Sequence, residues 1–410
     1  MRRASDLALR SRNQEVCSLS IVKKGGLAVL LFVVVAVLVT GCMPGRAASM
    51  NPGWTVVAAD AETVYAALPD GRVIALEAAS GQEVWTYPVP QATSEGGGLG
   101  KIFSAQETTN GDQPLDGVYG SPVLTENLLL VPSYNQRLYA FNRDASAGQV
   151  GSLVWEFAAG GAIVGGVTVY DGVAYFGSSD HNVYAVDVAT GEPVWEKPFA
   201  TENSVWGAPA ADEQRLYVGS MDHYVYAIDR ATGQGIWQEE LPGSIVGGVV
   251  LDEGRLFVGG VDKKLHALDA NTGDSLWVSE DLGGWVWGEP LINEGYAYVG
   301  SLNGTVYAFA VADGAPRWAE AVTVEGALRA GPVLLDGQLV VGTEAGNLIT
   351  IDMETGEQAL LFKATAGILS SPAVVDKMVY AGTITGSVYA LDANKGTAPL
   401  VWVYPPAREN

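Results

Sequence analysis

One phrase, Ala-x-Asp-x-x-Thr-Gly-x-x-x-Trp, returns along this chain at an almost fixed interval, and few architectures can absorb such a repeat. It stands complete from Ala185 to Trp195, from Ala227 to Trp237 and from Ala267 to Trp277. Looser copies run through Asp313-Gly314 to Trp318, through Asp352 and Thr355-Gly356 to Leu360, and through Asp392 and Gly396 to Trp402. Two more lie upstream, through Glu77 and Gly81 to Trp85 and through Gly151 to Trp155. The closing residues of these eight copies are 70, 40, 42, 40, 41, 42 and 42 positions apart. A period near forty, with one turn, one Trp and three apolar runs per unit, predicts the blades of a β-propeller.

The unit that closes at Trp195 shows the strands best. It reads as an inner strand at 165–169, a second over Val173–Gly177, a third over Asn182–Asp187 and a fourth beginning at Pro193-Val194-Trp195. The expected fold is all-β, an eight-bladed propeller of four-stranded antiparallel blades over residues 54–404. Thr-Gly supplies a turn residue that takes positive φ. Asp187, Asp229, Asp269, Asp352 and Asp392 are placed to accept hydrogen bonds from the amides of that turn. Trp85, Trp155, Trp195, Trp237, Trp277, Trp318 and Trp402 open the last strand and fill the wedge against the neighbouring blade, where a Trp covers about 150–250 Å².

The motif resembles the tryptophan-docking repeat of the pyrroloquinoline-quinone-like propellers, which include quinoprotein dehydrogenases and the lipoprotein of the outer-membrane barrel-assembly machinery. The resemblance implies the propeller fold over about residues 54–404. It also implies one of two roles, quinone enzyme or assembly scaffold, since one fold hosts many functions.

Residues 1–41 read as targeting. Arg2, Arg3, Arg10, Arg12, Lys23 and Lys24 precede an apolar run from Leu27 to Val39, which ends in Leu38-Val39-Thr40-Gly41-Cys42. That ending resembles a bacterial lipobox, which implies cleavage before Cys42 and lipid on its new amino terminus. The alternative is an uncleaved helix, for which thirteen apolar residues fall short of the ~20 a span requires. Either way the propeller is tethered outside the cytoplasm, with 42–53 as spacer and 405–410 as tail. The other cysteine is Cys17, so a cleaved chain has no disulfide. Without the leader's six basic and two acidic residues, 17 basic face 44 acidic ones, a net −27. Such a surface repels phosphate backbones and argues against nucleic acid as a partner.

Two departures interrupt the repeat. About two dozen surplus residues fall at about 91–117, a length that suits either a lid or docking loop or a tolerated insertion. A smaller one spans 143–150. Along the inner strands, one position holds Pro in five blades, Pro122, Pro209, Pro290, Pro332 and Pro372, as an edge strand facing a central channel allows. Three residues earlier the ring reads Trp54, Tyr119, Val164, Trp206, Val246, Trp287, Arg329 and Leu369. Trp54, Tyr119, Trp206, Trp287 and Arg329 are the candidate channel-mouth residues, with Glu289 the nearest carboxylate. The step parity leaves open whether they line the channel or pack between blades.

Enzymatic chemistry finds little support. The quinoprotein dehydrogenases set adjacent cysteines against their cofactor, and no Cys-Cys occurs here. His181 and His223 fall on equivalent turns of neighbouring blades, which suits repeat inheritance better than joint ligation. His266 replaces a third-strand Tyr. No nucleophile has a visible activating partner. No cofactor, metal or catalytic residue is therefore expected. The chain reads as a monomeric, lipid-anchored scaffold for another envelope protein, with the barrel-assembly complex as the specific candidate. The alternative is a ligand sensor, or a quinone- or sugar-binding enzyme, acting at the channel mouth.

Overall fold

The computed structural model describes residues 53–88, 114–143 and 149–405. The leader, Cys42, most of the spacer and tail, and most of both insertions lie outside the described residues. Eight four-stranded antiparallel sheets follow one another, each built from four consecutive strands paired in sequence order. Blades one to eight span 56–87, 123–158, 168–200, 210–240, 249–278, 291–323, 333–363 and 373–404.

The two middle strands of each blade are covered on both faces, so they read as apolar runs rather than alternations. Leu216, Tyr217 and Val218 on one, and Val225, Ala227 and Ile228 on its neighbour, are fully buried. The outer strands see solvent on one face, and Leu153–Ala158 alternates half-buried with exposed.

Turn geometry repeats as closely as the strands do. The hairpin between the middle strands holds a positive-φ residue in all eight blades: Gly71, Gln136, His181, His223, Lys263, Gly304, Gly346 and Gly386. His181 and His223 thus occupy a conformational position that Gly, Gln or Lys fills elsewhere.

The docking turn locks adjacent blades together. Gly233 sits at φ 73°, and a Cβ added there would stand 2.7 Å from the Trp195 ring. The Trp195 indole also donates through Nε1 to the Arg230 carbonyl at 2.9 Å. Trp155, Trp237, Trp277 and Trp318 make the same bond to Val188, Ala270, Val311 and Met353. Trp402 closes the ring with its bond to the Ala78 carbonyl of blade one, 2.9 Å. The last blade thus docks on the first by the common device, and no strand is exchanged. Trp85 differs, its Nε1 being buried without a partner among the described residues. The turn it packs on, at Gly151, is where the 143–150 insertion enters.

Three local expectations need correction. The inner strand of blade three is Thr168–Tyr170 rather than 165–169, because Gly165 lies where two inner backbones touch: a Cβ there would stand 2.1 Å from the Trp206 carbonyl. The fourth strand of that blade is Phe199–Ala200, with only a lone bridge between Pro193 and Val186 before it. Pro193 has no amide to give the ladder, and Pro316 leaves the same lone bridge in blade six; the chain tucks Trp195 inward, leaving it 5% exposed. In blade seven Leu360 does not take the docking place. Ala359 pairs with Thr350, in the register that sets Trp237 against Ala227, and Leu360 is 63% exposed.

Candidate functional site

The eight positions three residues before the Pro column lead directly into the inner strands. All of them, Trp54, Tyr119, Val164, Trp206, Val246, Trp287, Arg329 and Leu369, line one cavity of about 500 Å³. The parity left open by the sequence is therefore fixed toward the channel.

The next residue in each blade explains why. Thr55, Gly120, Gly165, Gly207, Gly247, Gly288, Ala330 and Ser370 are all small, and here adjacent inner backbones meet. A Cβ on Gly207 would stand 1.9 Å from the Gly247 carbonyl. With no room between blades, the preceding side chain turns into the channel. This small-residue column is legible in the sequence.

One residue further along, six blades carry Ser121, Gly166, Ala208, Gly248, Gly331 and Ser371, and blade one carries Val56. Blade six carries Glu289, which lines the same cavity. Its side chain is open to the channel interior yet enclosed by the ring, and this removal from bulk water pushes its carboxyl above the usual range.

The aromatic members differ in their restraints. Trp54 and Tyr119 meet edge to face at 4.7 Å, and Tyr119 meets Tyr134 at 5.8 Å. Trp206 donates through Nε1 to Ser179 Oγ at 3.1 Å. Arg329 lies 5.7 Å from the centre of the Trp287 ring and 3.6 Å from the Glu344 carboxylate.

The end of the long insertion is seated at the same mouth. The Leu115 amide donates to the Gly71 carbonyl at 2.8 Å, that of Tyr134 to Gly117 at 2.9 Å and that of Trp54 to Val118 at 3.4 Å. Leu115 and Val118 are buried. Strand direction puts this connection, the middle hairpin turns and the channel mouth on one face of the ring, and the docking turns on the other.

Those docking turns carry the motif carboxylates. Asp187 accepts from the Thr190 amide and hydroxyl, both 2.8 Å, and Asp229 accepts from those of Thr232 at 2.8 and 2.7 Å. Asp269, Asp352 and Asp392 accept from the amides of Thr272, Thr355 and Asn394. These are short local bonds that hold a turn, remote from the channel.

The third histidine, His266, is buried and contacts Asp262 through Nε2 at 2.8 Å. Tyr226 and Tyr184 make the same contact with Asp222 and Asp180. Among the described residues no three His, Cys, Asp or Glu side chains converge as a metal site.

The family described as "Outer membrane protein assembly factor BamB", one of pyrroloquinoline-quinone-like repeats, matches residues 44–150, 145–238, 221–329 and 302–408. The chain belongs to that family. Among solved structures, it is similar to the BamB of Moraxella catarrhalis at 19% identity and a TM-score of 0.56, with 69% of this chain and 86% of that one covered. It is also similar to the computationally designed protein Ika8, at 16% identity and a TM-score of 0.67, over 83% of this chain and 96% of that one. At such identities the likeness shows the fold. No curated protein matches the sequence.

Proposed function

We propose that this chain is a non-catalytic scaffold of the cell envelope, anchored by lipid at Cys42 and presenting the channel-mouth face to another envelope protein. The match to the assembly-factor family along the whole propeller carries this reading. In that role the chain supports the assembly of outer-membrane proteins as a member of a larger complex. The face that seats residues 114–117, at the end of the long insertion, and holds the aromatic ring is the one offered to the partner, because it departs most from the repeat. The net charge of −27 after cleavage favours a partner with a basic surface.

Crosslinking in intact cells, followed by mass spectrometry of what the lipidated chain captures, tests the proposal. Recovery of an outer-membrane barrel-assembly complex supports it in full. Recovery of no envelope protein overturns it.

A second reading rests on Glu289 and the ring of aromatics about one cavity: a small ligand bound at the channel mouth, as in a sensor or an enzyme of quinones or sugars. Under that reading Trp206→Ala and Trp287→Ala abolish ligand binding while the captured proteins stay the same.

A further inference from the structure

Blades seven and eight meet differently from their neighbours. Elsewhere around the ring a docking Trp lies over the glycine of the next turn, as Trp155 does over Gly191, Trp277 over Gly314 and Trp402 over Gly81. At the seventh interface the Trp register is held by Ala359, and a Cβ on the receiving Gly396 would meet nothing within 4 Å. The second-strand aromatic that packs beside the Trp, such as Tyr217 beside Trp237 or Tyr380 beside Trp402, is here Val340. The receiving turn is altered too. Trp402 stands six positions after Gly396, where Trp237 stands four after Gly233.

These departures leave a groove of about 690 Å³, floored by Ala359, Leu361 and Gly396 and flanked by Leu360 and Leu400. Both flanking leucines are exposed, at 63% and 43%. No carboxylate lines it, although the chain has 46 acidic residues, and its one charged lining group is Lys363. That ammonium donates to the Ala345 carbonyl at 2.8 Å and has no carboxylate partner among the described residues.

We infer that this groove is an open tryptophan socket, which takes an indole side chain from an acidic segment of a partner protein. The other interfaces define the occupant, since each shows an indole seated between a blade's last strand and the following turn. Lys363 at the edge supplies the complementary charge. The inference rests on the scaffold reading and adds a second contact at the blade-seven rim, separate from the channel-mouth face that meets a basic surface.

The test uses the purified chain and the peptide Gly-Asp-Trp-Glu-amide carrying fluorescein on its amino terminus, with the same peptide carrying Ala in place of Trp as control. Anisotropy titration should show the Trp peptide binding at least about tenfold tighter than its control. Ala359→Trp should fill the socket from within, raising the melting temperature and abolishing peptide binding, and Lys363→Glu should weaken binding about fivefold with no change in melting temperature. Equal binding of the two peptides, or full binding to Ala359→Trp, overturns the inference. So does a lowered melting temperature in Ala359→Trp, which would mean that the groove has no room for an indole. Self-association of the wild type that Ala359→Trp abolishes would give the socket to a second copy and overturn it as well. The assay needs no cellular partner, so failure of the envelope role in cells and failure of the socket are separable.

Discussion

Between adjacent blades, the ring of docking residues is nearly uniform: a Trp, its indole bond to a carbonyl and a glycine beneath it. Around the channel, the eight equivalent positions hold three Trp, one Tyr, two Val, one Arg and one Leu. Both rings belong to the same repeat, yet the geometry makes different demands on them. Where the geometry needs one shape, one residue recurs. Where side chains project into an open channel the demand is lifted, and identity is free to follow a ligand or partner. The seventh interface joins the two behaviours, because its docking place has lost the Trp and its surface has become apolar and open.

The largest test of this contrast is Trp195→Ala. It removes a 5%-exposed indole and its bond to the Arg230 carbonyl, and should lower the unfolding free energy by about 3–5 kcal/mol in guanidinium titration. An unchanged midpoint would break the claim that the outer ring holds the blades together.

A glycine pair sharpens the comparison. Gly233→Ala meets both a φ of 73° and the Trp195 ring. Gly396→Ala meets a φ of 53° and open space. The backbone term alone is roughly 1–2 kcal/mol, so Gly396→Ala should lose about that much and Gly233→Ala clearly more. Equal losses would mean that the seventh interface is as filled as the third.

A smaller effect lies in acid. Hydroxyl and amide bonds from Thr190 and Thr232 hold the carboxyls of Asp187 and Asp229 below their usual range. A depressed folded-state pKa adds stability that is complete above the unfolded value of about 3.9 and is lost as pH falls through the folded value. Asp187→Asn with Asp229→Asn should therefore lower the neutral melting temperature slightly and flatten its decline below pH 4. Because both residues are only half-buried, solvent screening keeps the change small.

Much of the fold was legible because the repeat is written in residues with steep conformational costs. Gly at the docking turn, with an Asp four residues before it in five blades, marks the units, and Val173–Gly177 and Asn182–Asp187 fall on apolar runs bounded by turns. What escaped reading depended on single-residue parity. The run Ala359-Leu360-Leu361-Phe362 is apolar throughout, so nothing in it says which residue faces the next blade; the bulge decides, and it falls opposite Leu348 and Ile349. The channel ring had the same ambiguity. Its solution lay in the column of Gly, Ala, Ser and Thr immediately after it, since only small residues allow backbones to touch. In the sequence Glu289 is a carboxylate two residues from Trp287. Its distinction as the one charged member of a column that is otherwise small or apolar needed the register of all eight blades.

The most direct measurement of the contrast is a guanidinium denaturation of Trp206→Ala/Trp287→Ala beside Trp195→Ala. The account predicts that the double channel variant keeps most of the wild-type stability, losing less than half of what the single docking variant loses. A double variant as destabilised as Trp195→Ala would show that the inner aromatics are packing residues like the outer ones, and would contradict the assignment of the channel mouth as a surface free for binding.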